Sequence, residues 1–464
     1  MHETVVSVQL CWSRISSQLE FAEQLENSMS DEDKAIQMEA VKILESRLMV
    51  ISTIISKTDK FSNAKVKRLH HLTLRSEIKS ALNEMEAWQK RFEPPWFQIV
   101  KTLPSVADQV IRKVHRNRSE DDGEPTREVI KFRQAFANHD KSTDSEKSNL
   151  FIKETTLNVL RRIPIQYCSA EHGVDEQTST KGYIIETVST DIVNANVALL
   201  LAQRLQDSNP FTFGVPKCTG IVKLQSTSSL ALIFRIPDGR DKVQSLREML
   251  LSGEVPSSLS IRLDIAKQLV SAVYYVHLYE LVHKNFSPES ILSLASSSNP
   301  SGSKLVICLV GFQIIRKAAA RTNVPSEDRK DNLYQHPSRW NNTEVKFVMQ
   351  HDIYSLGVCL LEIGLWTSIV SYDADRTLEY SDLLDIAQNI DPQLVKDRLL
   401  ALSRGILKER MGDTYSKVVE ICLTCLDDGN EEFGDPAEFE DEFGVEVGSR
   451  YISKIVKNMN AIVY

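Results

Sequence analysis

Through the first hundred residues, apolar positions return at steps of three and four. Val8, Trp12, Ile15, Leu19 and Ala22 share one helical face. After the helix-starting run Ser30-Asp31-Glu32, Val41, Leu44, Leu48, Ile51 and Ile55 share another. His71, Leu74, Ile78, Ala81, Met85, Trp88 and Phe92 repeat the spacing, and Pro94-Pro95 is expected to stop that helix for want of a backbone N–H. A weaker fourth helix is expected from about Trp96 to Val114. Long helices with such stripes pack nearly parallel, so residues 1–117 are predicted to form an antiparallel helical bundle.

The pattern then changes twice. RNRSEDDGEPTRE and ANHDKSTDSEKSN make residues 118–150 a charged linker, interrupted by the amphipathic run Lys131–Phe136, which has the length of one brace helix. From 151 to 464 the periods are mixed. GYIIETVS and LALIFRI are short β-branched runs bounded by turn residues, hence strands, and Asp191–Gln206 between them reads as a helix capped by Asp191. After Pro256 the chain is mainly helical: Ile261, Ile265, Leu269, Val273 and Val276 line one face. DIYSLGVCLLEIGL (Asp352–Leu365) is apolar nearly all round, as in a helix buried on every side. Strands first and helices afterwards predict an α+β domain with two lobes behind the bundle.

A chain of 464 residues exceeds what one core serves, in keeping with two domains. The net charge of -8 argues against a dedicated nucleic-acid binder. Seven cysteines (Cys11, Cys168, Cys218, Cys308, Cys359, Cys422, Cys425) are scattered, which suits reduced core thiols in a cytoplasmic protein. Cys422 and Cys425 form a lone C-x-x-C without a second ligand pair, read as core packing, and no metal site is expected. The opening Met1-His2-Glu3-Thr4 lacks the basic and apolar stretches of a secretory signal, and no run of about 18 apolar residues offers a membrane span.

Four stretches carry chemistry-bearing positions in a recognisable order. VHKNFSPESIL (Val282–Leu292) is similar to the H-R-D-L-K-P-x-N-I-L catalytic loop of eukaryotic protein kinases, and LVGFQIIR (Leu309–Arg316) to L-I-D-F-G-L-A-R. YQHPS (Tyr334–Ser338) stands for Y-x-A-P-E, and HDIYSLGVCLLEIGLW resembles the buried helix that follows it. The resemblance implies a bilobal kinase-like domain over 151–464, with His283 and Phe312 in its internal spine. It implies that Asp352 tethers the loop backbone, with Pro288 among the loop's anchors.

The same resemblance marks what is missing. Phosphoryl transfer needs an acidic base, magnesium ligands and a lysine–glutamate pair. The base position is Asn285, whose amide takes up no proton near neutrality, and the neighbouring lysine position is Ser287. The metal-binding positions hold Ser290 and Gly311, and the third-strand lysine falls at Val188. No G-x-G-x-x-G precedes that strand. The expectation is a pseudokinase that binds neither ATP nor magnesium; the alternative is an atypical ATP-dependent Ser/Thr phosphotransferase with relocated groups. Ser338 replaces the last glutamate of its motif, so the family's buried ion pair there is not expected. The acidic stretch Asp427–Gly444 reads as a solvated loop.

With EMEAWQKRFEPPWFQIVK and the charged linker, the chain also resembles fungal proteins in which a HeLo or prion-inhibition-like helical domain precedes a degenerate kinase-like domain. Its architecture is similar to that of necroptosis effectors, where a pseudokinase restrains a membrane-active bundle. That implies a signalling role in fungal cell-death or incompatibility responses, with protein partners engaged through the bundle. Lys60, Lys65, Lys67, Arg68, Arg75 and Lys79 form either a solvated helix face or a surface for anionic membrane.

Overall fold

The structure is a computed structural model of the whole chain. It describes residues 15–49, 85, 92–116, 124–137, 150–175, 181–190, 195–298, 305–312, 316–317, 331–340, 345, 347–373, 378–384, 391–430, 432–433, 448 and 451–462, less positions 17, 32, 36, 39, 40, 43, 47, 48, 257 and 285. Two compact units result, Met1–Ala137 and Asn138–Tyr464. The fold is mixed α and β.

In the first unit the described residues are helical apart from the connections around 26–30 and 103–106. Ile15, Ala22, Leu44, Met85 and Phe92, all read from the periodicity, are buried. Val8, Trp12, Leu48, Ile51, Ile55, His71, Leu74, Ile78, Ala81 and Trp88 lie outside the described residues, as do the six basic residues from Lys60 to Lys79. Pro94-Pro95 does not stop a helix: residues 92–102 are helical, and the break comes around Pro104. The helix expected over Trp96–Val114 is therefore two, the second being α1 (Ala107–Arg116).

The helix α2 (Glu124–Ala137) lies inside the charged 118–150 stretch and packs within this unit. Its Arg133 reaches across the corner, donating to the carbonyls of Val100 (2.6 Å) and Leu103 (3.0 Å) and pairing with Asp108. The last carbonyls of a helix have no partner inside it, and this guanidinium supplies one. Phe132 completes the contact edge-to-face on Phe97 at 5.3 Å.

The second unit opens with a six-stranded sheet. Its strands are β1 (Phe151–Ile152), β2 (Leu160–Pro164), β3 (Glu171–Asp175), β4 (Gly182–Ser189), β5 (Lys217–Leu224) and β6 (Ser229–Arg235). They are ordered β1-β5-β6-β4-β3-β2, antiparallel except where β1 joins β5. Along β4, alternation places Ile184, Glu186 and Val188 on one face. Ile185, on the other, joins a cluster with Leu157, Val222, Ala231 and Ile233. Helix α3 (Ala195–Leu205) packs on β5 and β6; Asp191, its expected cap, lies outside the described residues.

After β7 (Lys242–Ser245) the chain becomes helical, with α4 (Leu246–Leu251) and α5 (Leu259–Leu278). The short strand β8 (Leu281–Val282) leads into the 283–290 loop, and β9 (Ile291–Ala295) and β10 (Val306–Leu309) join β7 in the order β10-β9-β7. Helix α6 (Met349–Leu365) is buried at every residue, as the nearly all-round apolar run Asp352–Leu365 predicts. The helices α7 (Pro392–Leu402) and α8 (Lys408–Leu423) enclose it. This arrangement brings the start of α6, the 283–290 loop and the turn after β10 to one place. Among the described residues, no helix is long and apolar enough to cross a membrane.

Candidate functional site

The site is organised around Asp352, in the first turn of α6. Its buried carboxylate accepts from the backbone N–H of His283 (2.7 Å) and Lys284 (3.0 Å), and from His277 Nε2 (3.1 Å). A lone buried charge is costly, and three donors on one carboxylate are what make it tolerable. Burial alone would raise this carboxyl, but the hydrogen bond and charge of His277, with the contacts of His283, hold it below the usual carboxylate range. The tether fixes the start of the loop, where Lys284 takes a left-handed conformation (φ 62°).

His283 extends the arrangement. Its Nε2 lies 2.8 Å from the Val310 carbonyl, which can only accept, so Nε2 carries the proton. The ring lies 5.4 Å from Phe312, tilted, and Phe312 lies 5.7 Å from Phe234 of β6. A continuous aromatic column thus runs from the loop to the sheet.

The opposite wall is a residue the sequence reading passed over. Glu186 of β4 is fully buried, and its two oxygens accept from the N–H of Gly311 (2.7 Å) and of Phe312 (2.9 Å). Gly311 has φ 87°, a left-handed turn that suits glycine and lets two successive amides converge on one anion. Burial pushes the Glu186 carboxyl up to about 7, against the pull of the two amides. A signal was present in the sequence: an acid between Ile184 and Val188 on one strand face.

The positions singled out by motif fall as follows. Asn285 lies outside the described residues. Ser287 caps the single turn Pro288–Ser290, and the Ser290 hydroxyl accepts from Ser287 N (3.2 Å) and donates to Ser287 O (3.0 Å). Ser290 thus spends its hydrogen bonds on its own loop, and Pro288 in the same turn is buried. Gly311 has no side-chain oxygen, and its amide is taken by Glu186. Val188 is buried opposite Leu230 and offers nothing polar; the β4 side chain that meets the 311–312 turn is Glu186, two residues earlier. His283, Phe312, Asp352 and Gly311 therefore converge, joined by Glu186.

Two further clusters brace the site. In the β2–β3 turn, Tyr167 (φ 54°) packs on Tyr372 with the rings tilted and 4.8 Å apart, and Ser245 Oγ donates to the Gln166 carbonyl at 2.6 Å. Tyr372 in turn donates to Glu289 at 2.5 Å. Behind the loop, fully buried Arg247 donates to Glu362 (3.1 Å), Ser368 (2.5 Å) and Tyr334 (2.5 Å), while Tyr334 donates to Glu362 (3.0 Å). This buried ion pair uses Glu362 of α6, whereas Ser338 bonds to His336 Nδ1 (2.8 Å). Cys422 and Cys425 are buried free thiols, Cys425 donating to the Gln350 carbonyl. Among the described residues, no group of three or more His, Cys, Asp or Glu is placed to hold a metal ion. No protein-family model matches the chain, and no curated protein matches it in sequence.

Proposed function

We propose that residues 151–464 form a bilobal kinase-like domain that no longer transfers phosphate and acts as a non-catalytic switch on the helical bundle of residues 1–117. The observation that carries this reading is the pairing of a built loop with a filled site. Asp352 holds the His283 and Lys284 amides, yet the amides at the metal-binding motif are occupied by the chain's own Glu186. Kinase catalysis is almost entirely positioning and neutralisation of phosphate charge. The Glu186 side chain fills that place, and Ser290 and Gly311 supply no replacement ligand. The fungal cell-death setting implied by the resemblance, the cytoplasmic location, and the engagement of protein partners or an anionic membrane surface by the bundle complete the proposal.

The test is thermal unfolding of the full chain with ATP, with and without magnesium, alongside transfer of labelled phosphate to a generic protein substrate. The expected result is no magnesium-dependent stabilisation and no transfer. Stabilisation by several degrees, with transfer abolished in Asn285→Ala, would replace this reading with an active atypical kinase. For the membrane arm, the full chain is floated with vesicles containing anionic lipid at low salt. Recovery in the bottom fraction, unchanged by reversing Lys65, Lys67 and Arg68 to glutamate, removes the membrane from the proposal.

A further inference from the structure

We infer that the β2–β3 turn, residues 165–170, is coupled through Tyr372 to the Pro288–Ser290 turn of the 283–290 loop: fastened, it holds Glu289 in place, and lifted, it frees Glu289. The β2–β3 turn is attached outside its own sheet at two neighbouring residues. The Gln166 carbonyl accepts from Ser245 Oγ at 2.6 Å, and the Tyr167 ring lies 4.8 Å from that of Tyr372, in the short strand Val370–Tyr372. Tyr372 carries the second link of the chain. Its hydroxyl donates to Glu289 Oε1 at 2.5 Å, and that same oxygen lies 3.6 Å from Arg247 Nε. The Ser245 attachment leads to the same place, because its hydroxyl also caps α4 by accepting from Glu248 N at 3.0 Å, and Arg247 stands in that helix. One side chain, Tyr372, thus touches the turn with its ring and the loop with its hydroxyl.

The β2–β3 turn is the movable member because little else holds it. It follows β2, an edge strand that pairs only with β3. Between the buried Ile165 and Ala170, the residues Gln166, Tyr167 and Ser169 are exposed and Cys168 is half-buried. The bonds within the turn are long: the Ile165 N–H donates to the Ala170 carbonyl at 3.4 Å, and the Ala170 N–H to Cys168 Sγ at 3.4 Å. Tyr167 has φ 54°, a left-handed conformation that a bulky side chain keeps only where its surroundings impose it. Exposed residues, weak internal bonds and a strained tip place a segment at the low end of local stability. Released from Tyr372, Tyr167 can relax and the turn lifts. Tyr372 then regains rotamer freedom, and holding its hydroxyl on Glu289 costs more. Linkage makes the effect reciprocal, so loosening Glu289 from Tyr372 loosens the turn. Neither attachment uses the Gly311 and Phe312 amides held by Glu186, so the coupling stands whether or not a nucleotide binds.

The experiment compares the full chain as wild type, Tyr167→Ala and Tyr372→Phe, without nucleotide, by two readouts. Alkylation of Cys168 by iodoacetamide, located by peptide mass spectrometry, follows the β2–β3 turn. Its rate is taken relative to Cys308 and Cys422, fully buried thiols that label on wider unfolding, so a loss of overall stability cancels. Amide hydrogen exchange of the peptide spanning 286–292, relative to peptides of α6, follows the other turn through the Ser290 amide, which donates to the Ser287 carbonyl at 3.0 Å. Tyr167→Ala is expected to quicken both by about tenfold. Tyr372→Phe keeps its ring against Tyr167 and loses only the hydroxyl, so Cys168 labelling about fivefold faster is the mark of coupling. A packing contact without coupling would leave that rate alone. Faster Cys168 labelling in Tyr167→Ala with unchanged exchange at 286–292 overturns the coupling, and so does unchanged Cys168 labelling in Tyr372→Phe. Should Tyr167→Ala not fold, the Tyr372→Phe arm decides by itself.

Discussion

Asp352 and Glu186 are the same functional group with nearly the same ligands and opposite behaviour. Each is buried, and each accepts two backbone amides near the 283–312 loop. Asp352 also has His277 at 3.1 Å and is held below the usual carboxylate range; Glu186 has no imidazole and is pushed up. The difference is a counter-charge, since hydrogen bonds from amides only partly offset desolvation. It follows that Asp352 is structural at every physiological pH. Asp352→Ala strands the His283 and Lys284 amides and the His277 ring, and should lower stability on the order of 3–5 kcal/mol, read as a shift of the urea midpoint. Asp352→Asn keeps one acceptor oxygen and should lose less. An unchanged midpoint for the alanine variant would mean the tether carries no weight in folding.

At the scale of elements, α6 and α8 pack as closely as they do because Gly357 has no side chain. A Cβ there would lie 2.7 Å from Cys422 Cβ and 3.2 Å from Leu423 N, both too rigidly placed to give way easily. Gly357→Ala is expected to destabilise by roughly 1–3 kcal/mol despite alanine's better helix propensity. Gly405, within Ser403–Leu407, is the control: a Cβ there meets nothing within 4 Å, so Gly405→Ala should stabilise by about 0.5–1 kcal/mol. Calorimetry of both variants checks the pair, and equal signs would refute the packing argument. The elements also divide by how far the sequence announces them. Helix α6 and strands β4 and β6 were legible because burial on all sides, or on one, imposes its own period. The loop anchors His283, Pro288 and Asp352 were legible because they lie in short local motifs. Glu186 was not, since its meaning depends on a turn 125 residues away, though an acid on an apolar strand face was there to be noticed. Arg247, Tyr334 and Glu362 were equally hidden: three separate segments meet only once α4 and α6 are packed. Pro94-Pro95 misled in the other direction: residues 92–102 are helical on both sides of it, and the break comes around Pro104.

Across the whole second unit, buried titrating groups set opposing demands on pH. Burial, with the charge of Lys396, lowers His336 to about 4; burial, with Arg339 and His336, lowers His351 to about 3. Both imidazoles are therefore folded neutral, and the stability they confer is complete above their ordinary 6.5 and lost as pH falls toward those values. Glu186 has the opposite sign: its contribution is complete below 4.5 and gone by about 7. Between 4.5 and 6.5 unfolding takes up two protons at the histidines and releases one from Glu186, a net uptake of one. Stability should then fall by about 1.4 kcal/mol per pH unit on acidification through that window. Below it Glu186 is protonated in both states, so the slope should steepen to about twice that value until His336 itself titrates. Above the histidine range only Glu186 remains active, and stability should decline slightly before levelling. A maximum near pH 6.5 is the expected outcome, read from urea midpoints across the pH range. Two variants separate the contributions: Glu186→Gln should remove the decline on the alkaline side of the maximum, and His351→Gln should halve the steep acid slope. A stability that rises without a maximum through pH 8, in a protein whose acid limb is intact, would show that Glu186 is not buried as a neutral acid.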